Sequence, residues 1–559
     1  MSTKPQRVLV VGWDGAAPEL VFPWVEQGHL PTLGRLLREG ASGEVASTMP
    51  PLSGPAWAAF VTGRSPGQTG LYDFLYRRAG SYGFSPINAR MRDGRSFWRI
   101  LSDAGRRVGV FNVPLTHPVE PVNGYMVSGF MTPYGTRNYA YPPELADELD
   151  RVVGGYRLYP SASYSDRQPE AFFQAVEEVI EQRTKATLHL MDTYPWDFLI
   201  TVMYETDTSE HQLWHYIDPT HPQYDPARVA RYGNPLLRVF QQVDDSLRQI
   251  LERVDDDTLV IFMSDHGMGP VHHFVFLNSW LRDERFMVLK QDPLTQIKAL
   301  AMRAGFNLVN VHKLVNALYL IKDIEHRVSY SKDSLMKKVF LSFDNVDWSR
   351  TVAYSFGRAV GMVYVNLRGR EPQGIVEPGA EYEAVRDKIA RRALAYTDPR
   401  TGKRLAKKAL RREEVYQGRH LEQAPDLILI PDDETSHVFG LSDFGSWSLF
   451  EPAYRYTAVH RSNGVLAMRG PQVPAGKTIA DARLEDLAPT ILYAMGVPVP
   501  ATMEGRVLTD VFDPAYMAAH PVVYDDGLGD GPLDDISSGY SAEEEAQVTE
   551  RLRQLGYMG

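Results

Sequence analysis

The 559-residue chain contains no cysteine. Disulfides, thiolate nucleophiles and cysteine-held zinc are thereby excluded, and any metal must be bound by aspartate, glutamate, histidine or hydroxyl oxygen. No window approaches the ~18 consecutive apolar residues that a membrane-spanning helix needs. The opening, MSTKPQRVLVVGWDG, has an apolar run of only five residues before Trp13 and Asp14. That is too short for the apolar region of a secretory signal, so the expected location is cytoplasmic. A basic surplus is also missing: 59 Lys and Arg stand against 70 Asp and Glu, a net charge of −11. Duplex nucleic acid, which selects a basic face, is a poor partner for such a chain. Internal repeats and low-complexity tracts are absent.

What remains has an ordinary globular composition, 44% hydrophobic and 11% aromatic, and is too long for one simple core. RVLVVG (7–12) is a continuous β-branched run that reads as a buried parallel strand. VEQGHLPTLGRLLREGA follows with helical spacing, and RRVGVFNVP and YMVSGF read as further strands. The segments ending in DFLITVMY and TLVIFMS each run from a long helix into a strand. Strands alternating with helices predict an α/β fold with a mostly parallel sheet. From about residue 284 the pattern changes. Residues 294–321 read as an amphipathic, rather basic helical stretch, suited to packing on its own protein or to touching a membrane surface. GMVYVNL and DLILIP read as strands of a small α+β region, EDLAPTILYAMG as a late helix, and the acidic tail as a helix with little chemistry.

Four places put acids or imidazoles where chemistry usually sits. Asp14 follows the first strand, Asp207 and His211 follow another in MYETDTSEH, and Asp265 and His266 follow a third in IFMSDHGMG. His460 lies in TAVHRSNGVLAM. Ligand sites of open α/β sheets lie beyond the carboxyl ends of the strands. Singly, each has a plain structural explanation. An Asp after a strand caps or turns, and Ser53, followed by Gly54 and Pro55, has the form of an N-cap. Together, three Asp, three His and one Ser are a ligand inventory for two divalent metals. Asp207 and His211, four apart, share a face if their turn is helical. Asp oxygen and His nitrogen suit zinc and also manganese. Two metals roughly 3.5–4 Å apart clamp the attacking and leaving oxygens of a phosphoryl group, and a metal-bound hydroxyl such as that of Ser53 becomes a nucleophile near neutral pH.

The ordered series Asp14, PPLSGPAWAAFVTGRSPGQTG, DTSEH, SDHGMG, VHRSNGVLAMRGP and LEDLAPTILYAMGVPVPATMEGR resembles the alkaline phosphatase superfamily. Within it, the similarity is to the type I phosphodiesterase/nucleotide pyrophosphatase family and its predicted phosphohydrolase/phosphomutase branch. The resemblance implies an alkaline-phosphatase-like α/β core, with a mostly parallel central sheet flanked by helices and an inserted α+β cap. It implies one metal site from Asp207, His211 and His460 and another from Asp14, Ser53, Asp265 and His266. Ser53 takes the nucleophile position, and the implied reaction passes through a covalent phosphoseryl intermediate that water hydrolyses.

Relatives usually place an Asn shortly after the TG segment, against a phosphate oxygen; here Asp73 and Phe74 stand in that stretch. A carboxylate repels phosphate unless protonated or paired. His272, His273 and Arg358 are the candidates for replacing the donor. A sulfatase would need Arg where this chain has Trp57. The expected organisation is a catalytic core from 1–283 and 425–515, a cap from 284–424 and a helical tail from 516–559. The expected function is a two-metal phosphohydrolase, a phosphodiesterase on a small phosphorylated molecule. A phosphomutase or phosphomonoesterase on the same site, and a non-catalytic phosphate-ligand-binding protein, are the alternatives.

Overall fold

The computed structural model of the chain describes residues 7–307, 309–311, 339–440, 444–454, 456–527 and 539–554. Its centre is a nine-stranded sheet in the order Lys477–Arg483, Ala41–Ala46, Asn463–Arg469, Thr258–Met263, Arg7–Trp13, Phe198–Met203, Val108–Val113, Gly124–Ser128 and Ala140–Tyr141. The five from Thr258–Met263 to Gly124–Ser128 pair in parallel. Asn463–Arg469 and the edge strand Ala140–Tyr141 run the other way. The mostly parallel α/β sheet read from the sequence is therefore the observed one.

The first strand shows why helices cover both faces. Val8 and Val10 point to one side, against the helix Ser53–Thr62 and the helix Leu487–Ala494. Leu9, Val11 and Trp13 point to the other, against the helices Pro18–Glu26, Pro31–Glu39, Pro169–Thr193 and Pro235–Leu251. A strand apolar on both faces has to be covered on both. Trp13 is fully buried edge-on to Phe240 and Phe262, with ring centroids 5.9 and 4.9 Å away. Truncating such a side chain to Ala costs about 3–5 kcal/mol. The run VEQGHLPTLGRLLREGA is not one helix: the chain breaks after Glu26, and Pro31 starts a second helix at its first position.

Two smaller sheets stand beside this core. One joins Ala353–Ser355, Gly361–Val365, Leu427–Pro431 and Ala406–Arg411. The other joins Gly357–Ala359, Ser436–Gly440, His273–Phe276 and Phe450–Pro452. Both pair residues of 284–424 with strands outside that range. The tail helix Ala542–Gln554 buries Val548 and Leu552 in the apolar cluster of these sheets, and Tyr540 donates to the Met131 carbonyl at 2.6 Å.

Of the stretch 294–321, residues 308 and 312–321 lie outside the described residues. The helix Pro293–Arg303 is capped by the Asp292 side chain and buries Thr295, Lys298, Ala299 and Met302. Its larger apolar residues Leu294, Ile297 and Leu300 are exposed. No described helix is long and apolar enough to cross a membrane.

Candidate active site

Three neighbouring strands end at one place. After Trp13 the chain turns through Asp14 and Gly15, whose φ of +74° is in the left-handed region that glycine adopts without cost. A Cβ there would come within 3.2 Å of the Asp207 backbone and side chain, so the turn also needs glycine for space. The Gly15 N–H donates to Asp265 Oδ1 at 3.2 Å. Next door, Phe198–Met203 leads into the helix Glu205–Leu213, where Asp207 and His211 sit one turn apart. Thr206 Oγ1 donates to the Asp14 carbonyl at 2.6 Å, tying the two strand ends together. Thr258–Met263 leads into Asp265 and His266. The short strand Gly267–Pro270 then pairs antiparallel with Ala458–Arg461, setting Met268 opposite His460 and carrying that histidine across to the others.

The seven residues predicted from the sequence thus converge, and all are buried. His211 and His460 approach Asp207 Oδ1 at 3.4 and 3.2 Å and each other at 3.0 Å, all through Nε2. His266 Nε2 lies 3.5 Å from Asp14 Oδ1 and 3.3 Å from Asp265 Oδ2. Asp207 belongs to both groupings: its ligand atom falls within 4.8 Å of those of His211 and His460, and likewise with Asp14 and His266. Asp207 therefore stands between the two expected sets.

Ser53 is the first residue of the helix Ser53–Thr62, and the N-cap position is held by Leu52. Its Oγ instead lies 2.9 Å from His266 Nε2 and 3.3 Å from Asp14 Oδ1. The capping role allowed by its sequence context is not the one it plays.

The donor set suits divalent cations. Each histidine turns Nδ1 to a backbone carbonyl: His211 to Ala458 at 2.6 Å, His460 to Pro51 at 3.0 Å and His266 to Gly267 at 3.1 Å. An Nδ1–H held in this way leaves the Nε2 lone pair facing the cluster, as a metal ligand requires. Asp265 Oδ2 is buried and makes no hydrogen bond among the described residues. Burial, with Asp265 and Asp207 nearby, pushes the Asp14 carboxyl well above its usual range, and burial does the same to Asp265. Burial also opposes ionisation of Asp207, but His211 and His460 outweigh it and hold that carboxyl well below. His266 is kept neutral by burial and by neighbouring His460. Crowded carboxylates beside neutral imidazoles are an arrangement that added positive charge relieves.

Two participants were missed in the sequence. Trp57 Nε1 donates to Asp14 Oδ2 at 2.7 Å, fixing that carboxylate from inside the helix Ser53–Thr62. Its spacing, one turn after Ser53, was the available signal. Glu210 is also fully buried, with its carboxyl raised by burial and by Asp207. Within DTSEH nothing separates it from a surface acid.

Asp73 is buried and lies on the Ser53 side of the site: its neighbour Phe74 is 3.3 Å from where a Cβ on Gly54 would sit. Of the three candidate donors, Arg358 lies beside it, donating its backbone N–H to Asp73 Oδ2 at 3.0 Å. His273 sits nearest Lys403 and Asp433 in charge, and the His272 ring is 5.4 Å from that of His221. Among the described residues, no contact joins either histidine to the seven.

The model of the type I phosphodiesterase/nucleotide pyrophosphatase family matches residues 8–443. No curated protein sequence matches the chain. Among solved structures, phosphonoacetate hydrolase from Sinorhizobium meliloti in complex with phosphonoformate is similar at 13% identity and a TM-score of 0.52. That match covers 89% of this chain and 97% of the hydrolase. Human ectonucleotide pyrophosphatase/phosphodiesterase 5 is similar at 12% identity and a TM-score of 0.48, over 91% of this chain and all of that one. With the family model spanning most of its length, the chain belongs to the type I phosphodiesterase/nucleotide pyrophosphatase family.

Proposed function

We propose that the protein is a two-metal phosphodiesterase that hydrolyses a small phosphorylated molecule through a covalent intermediate on Ser53. The observation that carries this reading is the Ser53 hydroxyl. It begins a helix one place past the N-cap and points at His266 and Asp14 inside a buried cluster of ligand-type side chains.

One metal is assigned to Asp207, His211 and His460, and the other to Asp14, Ser53, Asp265 and His266. When bound, zinc or manganese supplies positive charge that acidifies a coordinated hydroxyl and offsets charge on the phosphoryl oxygens. His266 explains why such charge is needed. Its Nδ1 is turned to the Gly267 carbonyl and its Nε2 lone pair is the one assigned to the metal, so it would not serve as a general base for the Ser53 hydroxyl. Trp57 and the Gly15 N–H fix the Asp14 and Asp265 carboxylates from behind.

In the first step the Ser53 Oγ gives up its proton to solvent and its bond to phosphorus forms as the bond from phosphorus to the leaving oxygen breaks. The leaving oxygen takes the electron pair and then a proton. In the second step a water oxygen bonds to the same phosphorus, the bond to Ser53 breaks, and Oγ regains a proton. The start of the helix directs backbone N–H groups toward the transferred anion.

The test is hydrolysis of bis-p-nitrophenyl phosphate and p-nitrophenyl phosphate after chelation, with zinc or manganese restored. The expected result is metal-dependent turnover that favours the diester. Preference for the monoester would move the assignment to a phosphatase or mutase. Binding of phosphorylated ligands with no turnover under either metal would leave a binding protein.

A further inference from the structure

The two carboxylate oxygens of Asp14 face different ways. Oδ1 faces the cluster, 3.3 Å from Ser53 Oγ and 3.5 Å from His266 Nε2. Oδ2 accepts the indole N–H of Trp57 at 2.7 Å. A buried indole N–H generally finds an acceptor, so the bond alone assigns nothing. Its setting does.

Trp57 follows Ser53 by one helical turn, so both project from one face of the helix Ser53–Thr62. One rigid element thus carries the hydroxyl and the group that orients the acid beside it. The indole is fully buried and held in place. Phe60 stands edge-on to it with ring centroids 5.4 Å apart, and its far edge lies over Gly12. A Cβ at Gly12 would come within 3.0 Å of Trp57 Cη2 and 3.1 Å of Val202 Cγ2. Gly12, two residues before Asp14, therefore leaves the space in which the ring lies.

A second indole in the same apolar cluster supplies the contrast. Trp98 is equally buried and donates from Nε1 to Glu120 Oε1, also at 2.7 Å. Its acid is shared with Ser96 and, among the described residues, joins no grouping of ligand atoms. The two indole–carboxylate bonds are alike in length and differ in what the acid faces.

The number of oxygens Asp14 can offer bears on which ion the Ser53 side favours. A carboxylate with both oxygens free can chelate a large, oxygen-seeking cation, which gathers six or more donors. With Oδ2 occupied, Asp14 gives one oxygen beside an imidazole nitrogen, and zinc, with its small donor number, suits such a set. We infer that Trp57 is a positioning residue: its N–H holds Asp14 to single-oxygen ligation and so gives the Ser53-side site its preference for zinc over manganese. This rests on the metal assignment made in the Ser53 reading above.

The test is calorimetric titration of chelated, full-length protein with zinc and, separately, with manganese. Trp57→Phe keeps an aromatic ring and removes the donor. Zinc affinity should fall by about 10–100-fold, and manganese affinity by less, so the preference for zinc narrows. Trp57→Gln keeps a neutral N–H donor and loses the ring. It should retain more zinc affinity than Trp57→Phe although it packs worse, whereas a packing role alone predicts the reverse order. Trp98→Phe should leave both affinities unchanged. Gly12→Ala, which crowds the ring without removing it, should also weaken zinc binding, and it carries the test if the Trp57 variants fail to fold. The inference is refuted, while the Ser53 reading stands, by any of three results in a native chain that binds zinc: unchanged zinc affinity or an unchanged zinc preference in whichever of Trp57→Phe and Gly12→Ala folds, the reverse order of Trp57→Gln and Trp57→Phe, or an equal loss in Trp98→Phe. If the native chain binds neither metal, both fall.

Discussion

Two buried charge clusters among the described residues are built oppositely. Just before the strand Leu427–Pro431 of a smaller sheet, Asp426 is fully buried yet held below its ordinary range: burial opposes ionisation, and Arg370 overcomes it. Arg370 donates to both its oxygens at 2.8 and 2.6 Å, and Tyr382 and the Val365 N–H complete the shell. Nearby Glu371 accepts from Arg77 and Tyr354. At the strand ends of the core, Asp14 and Asp265 are equally buried, and both are pushed up. The first cluster is complete within the chain. In the second, the described neighbours of Asp14 and Asp265 are other acids, imidazoles and single hydrogen-bond donors, with no arginine or lysine among them. Burial is alike, so compensation by cations of the chain separates a structural cluster from a binding one.

The sharpest way to break this comparison is at Ser53. Ser53→Ala should lower turnover by about 10³-fold or more, since a missing nucleophile is not replaced by its neighbours. Thermal unfolding should show the fold intact. Next in size is one substitution made in both clusters. Asp426→Asn takes from Arg370 the carboxylate it grips with both terminal nitrogens, leaving it only Glu371, and should cost about 3–5 kcal/mol in urea unfolding. Asp265→Asn removes an acid that burial already disfavours, so the metal-free protein should be no less stable, while zinc should stabilise it less than it does the native chain.

Zinc itself is the third test. At about 1,000 times its dissociation constant it should stabilise the native protein by about 4 kcal/mol, and chelation should reverse this. The smallest effect concerns Asp73, whose carboxyl burial raises to about 6. An unfolded Asp ionises near 3.9, so between those values the folded state holds the extra proton. Stability should therefore fall as pH rises from about 4 to about 6, by up to about 3 kcal/mol. Asp73→Asn should remove that arm of the profile, read as the difference between native and variant unfolding midpoints.

The core was legible because its strands are continuous apolar runs, and because Asp14, Asp207 and Asp265 follow such runs directly. His460 was legible through the ordered motifs, although its strand lies far along the chain. Ser53 was ambiguous, since SGP serves equally for a cap, and only the direction of Oγ decides. His437 gave no signal: in TSHVFG it reads as an alternating strand, and its position beside His211 depends on pairing with His273–Phe276. The same long-range pairing hid how strands flanking 284–424 complete the two smaller sheets. The acidic tail helix carries two apolar residues, Val548 and Leu552, that join the apolar cluster beneath those sheets, a packing role that its charge concealed.

The central claim is that Ser53 carries the phosphoryl group. The most direct measurement is acid quenching of zinc-loaded protein during turnover of bis-p-nitrophenyl phosphate, followed by peptide mass spectrometry. The account predicts a p-nitrophenyl phosphate adduct on the peptide holding Ser53, absent in Ser53→Ala and absent without metal. Steady turnover with that peptide unmodified, or full activity in Ser53→Ala, would contradict it.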